Sequence, residues 1–221
     1  FISLRSHMFA RLNISLVLVL VSLSNFVSSF HQATHTMKSS SALHSTLTNS
    51  SSPQIKVAVI GAGAAGLVTS RILLKNGIQP TILEKDEEIG GVWNYKQNSK
   101  SRPMYRGLRT NLPRELMAYR EFPWGGDGHS SQSFVTHLEV KQYLQDYAKK
   151  FGVSNLIHFN SSVRHLKVLT EKQSNINQSW PKIKLEWTDD GDEETKSDVF
   201  DAVCVCNGHY AAPFSPKIQG M

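Results

Sequence analysis

Apolar and polar positions form two different patterns in the part of the chain that follows residue 54. Residues 55–60 are a nearly continuous apolar run rich in β-branched side chains, which is typical of a strand buried on both faces. A helical pattern then runs to Asn76, and Gly77 is suited to the position just after a helix end. With a second short strand predicted at 81–83, the pattern indicates a β-α-β unit. The apolar stripe of the helix consists of Ala65, Val68 and Ile72, with Leu67 and Leu74 beside it.

A glycine-rich turn joins the first strand to the helix. It reads Gly61, Ala62, Gly63, Ala64, Ala65 and Gly66, which is the pattern G-x-G-x-x-G. In a dinucleotide-binding unit the first glycine permits the tight turn, the second lets the backbone approach a pyrophosphate, and the third lets the helix pack closely on the strand. Glu84 follows the second strand, where a carboxylate can accept hydrogen bonds from ribose hydroxyls. The sequence therefore predicts dinucleotide binding, although Glu84 by itself has the alternative of a solvated charge, because residues 85–88 are also charged.

Residues beyond the β-α-β unit predict one more helix and further strands. Thr136 and Glu139 have the spacing of a helix N-terminal capping box, and an apolar stripe follows them. The alternating residues 182–187 and the run 197–206 predict strands joined by an exposed acidic turn at 189–194. We therefore expect an α/β fold, namely a Rossmann-like domain with a parallel sheet and a small antiparallel β-meander. The stripe of the helix consists of Val140, Tyr143, Leu144, Tyr147 and Phe151.

Charge and cysteine content argue against several other functions. The net charge is +6, but the excess of Lys and Arg lies within residues 1–83, so no basic face for nucleic acid is predicted. Cys204 and Cys206 have neither the spacing of a redox pair nor that of a zinc site and are expected to be buried free thiols. The acidic turn lacks the calcium-loop pattern, so no metal site is predicted. His137 and His209 are interpreted as a first-turn helix residue and a turn residue.

The first 53 residues have the composition of a targeting sequence. Residues 1–29 combine a basic start, an apolar segment and small residues before Phe30, as a signal peptide does. Residues 30–53 are rich in Ser and Thr and contain no acid, which is typical of a transit peptide or a disordered spacer. This order resembles the bipartite plastid presequences of algae with secondary plastids and predicts a plastid protein, with the endomembrane system or secretion as the alternative. The apolar segment is short for a membrane-spanning helix, and an uncleaved membrane anchor is a further alternative.

Four segments resemble flavin-containing monooxygenases, and the plant-type S-oxygenating members most closely. They are residues 89–93 (Ile-Gly-Gly-Val-Trp), 105–124, 136–151 and 203–210. The resemblance extends in order over residues 55–221 and implies that residues 54–221 are an FAD-binding domain. A complete member of that family has a second glycine-rich motif for NADPH. The chain is therefore expected to be an N-terminal fragment whose fold is incomplete at the C-terminus.

The resemblance also implies roles for individual residues. The glycine turn holds the FAD pyrophosphate, Glu84 holds its ribose, and the backbone of Val163 meets the adenine. The side chain of Asn111 meets both the flavin and the nicotinamide cofactor. Two residues also have simpler interpretations, Trp93 as a core aromatic and Asn111 as a turn residue before a proline. The implied cofactor-binding residues are Gly61, Ala62, Gly63, Ala64, Ala65, Gly66, Glu84, Gly91, Val92, Trp93, Thr110, Asn111 and Val163, and Asn111 is also the implied catalytic residue.

The chemistry that the resemblance implies belongs largely to the cofactors. NADPH reduces FAD, the reduced flavin takes up O₂ to form a C4a-hydroperoxide, and its distal oxygen passes to a soft sulfur or nitrogen atom of a small-molecule substrate. We therefore expect a monooxygenase of the N,N-dimethylaniline-monooxygenase type, in which the protein mainly keeps water away from the flavin. The alternatives are another two-dinucleotide flavoenzyme, such as a Baeyer–Villiger monooxygenase, and an FAD-binding fragment without activity.

Overall fold

The computed structural model describes residues 55–97, 103–125, 132–169, 181–192, 194–209 and 216–220. All of them belong to one structural unit, Ile55–Met221. The predicted signal-like segment, residues 1–29, and the predicted Ser/Thr-rich segment, residues 30–53, lie outside the described residues.

The predicted β-α-β unit is present. Strand β1 is Val57–Ile60, helix α1 is Ala64–Lys75 and strand β2 is Thr81–Leu83. The two strands pair in parallel, as a helical crossover between them requires. Gly77, two residues after the end of α1, has a φ of +77°, a conformation that glycine adopts without steric cost. The predicted helix end is therefore confirmed to within one residue.

A parallel sheet of four strands forms around this unit. Its order is β3-β2-β1-β7, with β3 at Ile157–His158 and β7 at Ala202–Val205. Strand β1 is an inner strand, paired in parallel with β2 on one side and with β7 on the other. The carboxyl ends of these strands meet at one edge of the sheet, which is the edge where ligands bind in open parallel sheets.

The predicted β-meander is a separate antiparallel sheet of three strands. Its strands are β4 (Ser161–Val168), β5 (Ile183–Asp189) and β6 (Thr195–Phe200), and β5 lies in the middle. The turn between β5 and β6 is exposed at Asp190 and Gly191, as the acidic composition predicts. The α/β fold class with a parallel sheet and a small meander is thus confirmed.

The prediction of one continuous strand over residues 197–206 is wrong, because the chain changes sheets at Asp201. Phe200 pairs with Ile183 in the meander, whereas Ala202 pairs in the parallel sheet. Asp201 stabilises this corner through both its backbone and its side chain. Its N–H donates to the carbonyl oxygen of Lys56 at 2.8 Å, and its carboxylate accepts from the Lys56 N–H at 2.9 Å.

Two helices lie between β2 and β3 in the part of the chain that the structure describes. Helix α2 is the short segment Arg114–Met117, and helix α3 is His137–Lys150. The predicted capping box at the start of α3 is confirmed, because the Glu139 N–H donates to Thr136 Oγ1 at 3.3 Å and the Glu139 carboxylate accepts from the Thr136 N–H at 2.8 Å. Single 3₁₀ turns also occur at Gly91–Trp93 and Ser154–Leu156. The buried stripe residues of α3 include Val140, Tyr143, Leu144 and Tyr147, as predicted.

Apolar side chains cover both faces of the parallel sheet. Successive residues of a strand point to opposite faces. Val59 and Ile82 therefore pack in one buried cluster with side chains of α1 and α3. Ala58 and Leu83, their neighbours in sequence, pack in a second cluster with Leu185 of the meander. The prediction of a strand buried on both faces is confirmed.

Helix α1 buries only part of the predicted apolar stripe, since Leu67 and Leu74 pack in the core. Its buried residues are Gly66, Leu67 and Ser70, whereas Ala65 and Ile72 are exposed. The hydroxyl of Ser70 donates to the carbonyl oxygen of Gly66 at 2.8 Å, so its polar group is satisfied within the helix. Small side chains let α1 lie close to the glycine turn, so its buried face combines Gly66 and Ser70 with the apolar Leu67.

No helix among the described residues is long and apolar enough to cross a membrane. In the same part of the chain no group of three His, Cys, Asp or Glu side chains is arranged to hold a metal ion.

Candidate dinucleotide-binding site

The glycine turn begins at the carboxyl end of β1, between β2 and β7. Gly61 has a φ of +102°, and a Cβ atom there would lie 2.6 Å from the carbonyl oxygen of Cys206. A side chain is therefore excluded both by the backbone conformation and by contact with a neighbouring backbone. The Gly61 N–H donates to the carbonyl oxygen of Leu83 at 2.8 Å, which ties the turn to the end of β2. The structure places the tight turn at the first glycine, where the motif predicts it.

The third glycine sets the distance between α1 and the turn. A Cβ atom on Gly66 would lie 1.8 Å from the carbonyl oxygen of Gly61 and 3.6 Å from Cβ of Cys206. The first distance is far inside van der Waals contact, so no residue larger than glycine fits without moving the helix. The closest contact of Gly66 is therefore with the turn itself, followed by the residue just after β7.

The second glycine has space around it. A Cβ atom on Gly63 would meet Cα of Gly91 at 3.6 Å, an ordinary contact distance, and its φ of −80° is open to any residue. The folding of the turn therefore does not require glycine at this position. A close approach by a ligand remains the physical reason for glycine here.

Helix α1 begins at the turn without a side-chain cap. Its N-cap residue is Gly63, no side chain among the described residues makes a capping hydrogen bond, and the first turn contains no acid. Ala64 and Ala65, the first two helical residues, are exposed. The first N–H groups of a helix have no acceptor within the helix, and its dipole makes this end positive. This end of α1 is therefore suited to binding a phosphate.

Glu84 is buried, with 4% of its surface exposed, although Lys85 and Glu87 beside it are exposed. Its Oε2 accepts a hydrogen bond from the Ala62 N–H at 2.5 Å, and its Oε1 accepts one from the Asp86 N–H at 2.9 Å. The interpretation of Glu84 as a solvated charge is therefore wrong. A carboxylate has about four acceptor positions, so capacity for ribose hydroxyls remains.

The glycine pair that follows β2 packs on the glycine turn. The Gly90 N–H donates to the carbonyl oxygen of Ala62 at 3.3 Å, and a Cβ atom on Gly91 would lie 3.1 Å from Cα of Gly63. In the 3₁₀ turn, Val92 is 36% exposed, whereas Trp93 is half-buried and packs against the core that α1 and α3 share. The simpler interpretation of Trp93 as a core aromatic is thus supported, and contact of both residues with a cofactor stays a prediction.

Thr110 and Asn111 lie next to each other but differ in exposure. Thr110 is buried and pairs twice with Val135, its N–H donating to the carbonyl oxygen at 2.9 Å and its Oγ1 accepting from the N–H at 3.2 Å. Asn111 is exposed at a bend before Pro113. Thr110 therefore anchors the segment, and the side chain of Asn111 is accessible to a ligand.

Val163 lies near the start of β4, where a register shift separates it from His165. It is half-buried against the cluster that contains Ala58 and Leu83. The strand begins close to the candidate ribose residue, because the Ser161 N–H donates to the carbonyl oxygen of Glu84 at 2.8 Å. The structure thus brings the glycine turn, Glu84 and the start of β4 together.

Comparison with known proteins shows which family this chain belongs to. The family model described as FMO-like, flavin-binding monooxygenase-like, matches residues 54–219. The chain belongs to this family.

Relatives of this flavin-binding monooxygenase-like chain include proteins of plants and bacteria. Flavin-containing monooxygenase FMO GS-OX-like 4 of Arabidopsis thaliana is 37% identical over 183 residues, which are 75% of this chain and 39% of the relative. The solved structure of S-allyl-L-cysteine S-oxygenase from Allium sativum is 35% identical with a TM-score of 0.63, covering 75% of this chain and 39% of that one. Tmm from a Pelagibacter strain is 30% identical with the same TM-score and coverage. The chain spans less than half the length of these relatives.

Among the described residues of this flavin-binding monooxygenase-like chain, two contacts with the glycine turn were missed by the sequence analysis. The carbonyl oxygen of Cys206 faces Gly61, and the hydroxyl of Tyr119 donates to the carbonyl oxygen of Ala64 at 2.6 Å. Both residues lie far from the turn along the chain, so local sequence patterns do not predict these contacts. A rule that places the residue after β7 beside the first glycine would have found Cys206, but nothing comparable would have found Tyr119.

His137 is the first residue of α3, as predicted, but it is also buried, with 3% of its surface exposed. Its ring lies 5.4 Å from that of Tyr95, and its backbone N–H donates to the carbonyl oxygen of Leu108 at 3.4 Å. Its Nδ1 has no hydrogen-bond partner among the described residues. His137 therefore contacts the segment after the glycine pair through its ring and the segment before Thr110 through its backbone.

The two thiols of this chain are free and partly buried. Burial raises the pKa of Cys204 to about 11 and also raises the pKa of Cys206, because it favours the neutral thiol over the thiolate. About one Cys204 thiol in a thousand is then ionised at pH 8. We expect slow labelling by a disulfide reagent at pH 8, a rate that rises about tenfold per pH unit up to pH 10, and rapid labelling after unfolding. Rapid labelling of the folded chain at pH 8 would contradict the burial described above.

Proposed function

We propose that this chain is the FAD-binding part of an NADPH-dependent monooxygenase that oxygenates a sulfur atom of a small molecule. The observation that carries the proposal is the hydrogen bond that joins the glycine turn to the buried carboxylate of Glu84. The Ala62 N–H bonds to the Glu84 carboxylate at 2.5 Å, while backbone contacts exclude a side chain at Gly61 and Gly66. The turn, an open helix end and a carboxylate for ribose thus occur together at one edge of the sheet.

The residues present fit the adenine half of FAD. The N-terminal N–H groups of α1 would hold the pyrophosphate, with Gly63 giving the backbone room to approach it. Glu84 would hold the ribose through the acceptor positions that Ala62 and Asp86 leave open. The backbone near Val163, which follows the Ser161 contact with Glu84, is the proposed adenine contact.

At the flavin end this chain contributes a rigid backbone and an accessible amide. Two hydrogen bonds hold Thr110 to Val135, so they also hold the adjoining backbone of Asn111 in place. The exposed amide of Asn111 offers a donor and an acceptor to the flavin and to the nicotinamide. When bound, FAD supplies hydride acceptance from NADPH and the activation of O₂. Val92 and Trp93 are the apolar side chains proposed to shield the cofactor from water.

Sulfur is the substrate atom that the relatives favour. The Allium sativum relative is an S-oxygenase, and it is 35% identical to this chain. Oxygenation of nitrogen is the second candidate within the same family. A cyclohexanone monooxygenase structure from Rhodococcus is 19% identical, and a likeness at that level concerns the fold alone. The Baeyer–Villiger alternative therefore has no support beyond the shared fold.

The proposal is tested in two stages. The 221-residue chain is titrated with FAD, with FMN as the ligand that lacks the adenine half, and binding is followed by flavin fluorescence. We expect FAD to bind and FMN to bind far more weakly, because the proposed contacts lie on the adenine half. The longest gene product that contains this chain is then assayed for NADPH oxidation and sulfoxide formation with thioethers, with tertiary amines in parallel. Absence of FAD binding in the first stage would refute the proposal.

Asn111 is expected to affect oxygenation more than FAD affinity. In Asn111→Leu the amide is lost while the backbone held by Thr110 is kept, so FAD affinity should change less than about twofold. Sulfoxide formation by the longer gene product should fall about tenfold, because a polar contact to the reacting groups is removed. The matched control is Asn155→Leu, an exposed asparagine in the 3₁₀ turn Ser154–Leu156. Equal rates in both variants would remove Asn111 from the proposed site.

A further inference from the structure

A short segment rich in aromatic residues lies against helix α3. It comprises residues 119–124 and is named here the aromatic strap. The ring of Tyr119 lies 4.4 Å from that of Tyr147, and the ring of Trp124 stacks on that of Tyr143 at 4.2 Å with an angle of 4° between the planes. The strap forms a tight turn, because the Phe122 N–H donates to the carbonyl oxygen of Tyr119 at 2.9 Å. Its position on α3 is therefore fixed by several independent ring contacts.

Tyr119 joins this rigid strap to the first residue of α1. Its hydroxyl donates to the carbonyl oxygen of Ala64 at 2.6 Å. Its own N–H donates to the hydroxyl oxygen of Tyr143 at 2.8 Å, and that hydroxyl donates in turn to the carbonyl oxygen of Phe122 at 2.6 Å. A chain of hydrogen bonds thus connects α3 to the N-terminal turn of α1. Burial raises the pKa of Tyr119, so its hydroxyl keeps the proton that it donates.

The acceptor of this hydrogen bond belongs to a peptide group that the proposed cofactor would use. The carbonyl of Ala64 and the N–H of Ala65 are the two ends of one peptide unit. Donation to the carbonyl oxygen polarises that unit and increases the partial positive charge on the N–H. The N–H of Ala65 is among the first four of α1, which have no acceptor within the helix. The hydrogen bond from the Tyr119 hydroxyl to the Ala64 carbonyl oxygen therefore strengthens the contact that the Ala65 N–H can make with an anion.

We propose that Tyr119 is a positioning residue for the FAD pyrophosphate, acting through its hydroxyl on the Ala64–Ala65 peptide. This inference rests on the proposed function, since it presupposes that FAD binds at the glycine turn. The hydroxyl fixes the orientation of the first peptide of α1 and polarises its N–H toward the phosphate. The aromatic strap supplies the rigidity, because Tyr119 is held by Tyr143 and Tyr147 on α3.

The experiment compares two tyrosines of the same aromatic cluster. Tyr119→Phe removes the hydroxyl that donates to the carbonyl oxygen of Ala64, whereas Tyr147→Phe removes a hydroxyl that donates to the Glu121 carboxylate at 3.1 Å, away from the glycine turn. Both variants of the 221-residue chain keep their rings. We expect FAD affinity to fall about three- to tenfold in Tyr119→Phe, the size of one hydrogen bond, and to change less than about twofold in Tyr147→Phe.

A second readout separates positioning from packing. The ³¹P spectrum of bound FAD reports the hydrogen bonds to the pyrophosphate, and a general loosening of the aromatic cluster would not move it selectively. We expect a ³¹P resonance to shift in Tyr119→Phe and both resonances to stay in place in Tyr147→Phe. Melting temperatures without FAD, measured for both variants, show whether either chain is merely destabilised.

The outcomes distinguish the two proposals. If the unsubstituted chain binds no FAD, both the proposed function and this inference fail. If it binds FAD but Tyr119→Phe shows unchanged affinity and an unchanged ³¹P spectrum, only this inference fails. An equal loss of affinity in both variants would likewise overturn it, because the effect would then come from the cluster and not from the contact with Ala64.

Discussion

Gly66→Ala is expected to remove FAD binding, with a loss of affinity of more than about a hundredfold. The added Cβ would lie 1.8 Å from the carbonyl oxygen of Gly61, so the start of α1 must move by more than about 1 Å. That movement displaces the N–H groups proposed to hold the pyrophosphate, and losing two hydrogen bonds to a charged group, at about 1.5–3 kcal/mol each, corresponds to about a hundredfold or more. Unfolding free energy should also fall, by about 3 kcal/mol, because the clash is with backbone and not with a flexible side chain.

Two other glycines serve as controls for this prediction. Gly107→Ala should change neither stability nor FAD affinity, since its Cβ would meet nothing within 4 Å among the described residues. Gly63→Ala should fold almost normally, because among the described residues its Cβ would meet the backbone of Gly91 at ordinary distances of 3.6 and 4.0 Å, yet it should weaken FAD binding if the pyrophosphate approaches there. Chemical denaturation and FAD titration measure the two quantities. Tight FAD binding by Gly66→Ala would show that the turn does not hold the cofactor.

The parts of the fold that depend on neighbours in sequence could be predicted. The β-α-β unit follows from apolar periodicity and from a turn whose glycines have separate physical reasons, and the structure has both. The capping box of α3 is equally local, since Thr136 and Glu139 lie three residues apart. The position of Glu84 beside the glycine turn follows from parallel pairing of β1 with β2, which brings the two strand ends together.

The remaining features depend on contacts between distant parts of the chain. The change of sheet at Asp201 requires the backbone of Lys56, 145 residues away, and no local pattern contains that partner. Gly66 and Ser70 are buried beside Leu67 because α1 lies against the glycine turn. Tyr119 reaches Ala64 only because the aromatic strap is fixed on α3, so the residue proposed to position the pyrophosphate could not be predicted from its own surroundings in sequence.

Glu84→Ala is expected to lower FAD affinity about a hundredfold and to destabilise the chain without FAD by about 3 kcal/mol. The carboxylate accepts from the N–H of Ala62 and from the N–H of Asp86, and its removal leaves both donors without their acceptor. A buried donor that loses its partner costs about 1–3 kcal/mol. The loss of affinity has two sources, the missing ribose contacts and a glycine turn whose Ala62 N–H is no longer held, although the bond from Gly61 to Leu83 remains.

Glu84→Gln separates the two contributions of this side chain. The amide keeps one acceptor oxygen and places an NH₂ group against one of the two N–H donors, so part of the stability loss should remain. It can still accept one ribose hydroxyl, and FAD affinity should lie between those of the unsubstituted chain and Glu84→Ala. The matched control is Glu87→Ala, because Glu87 is exposed and its ion pair with Lys96 at 3.1 Å lies at the surface, where such pairs contribute little. If Glu84→Ala loses stability but binds FAD as tightly as the control, Glu84 only fixes the turn, and the ribose must be held by another residue.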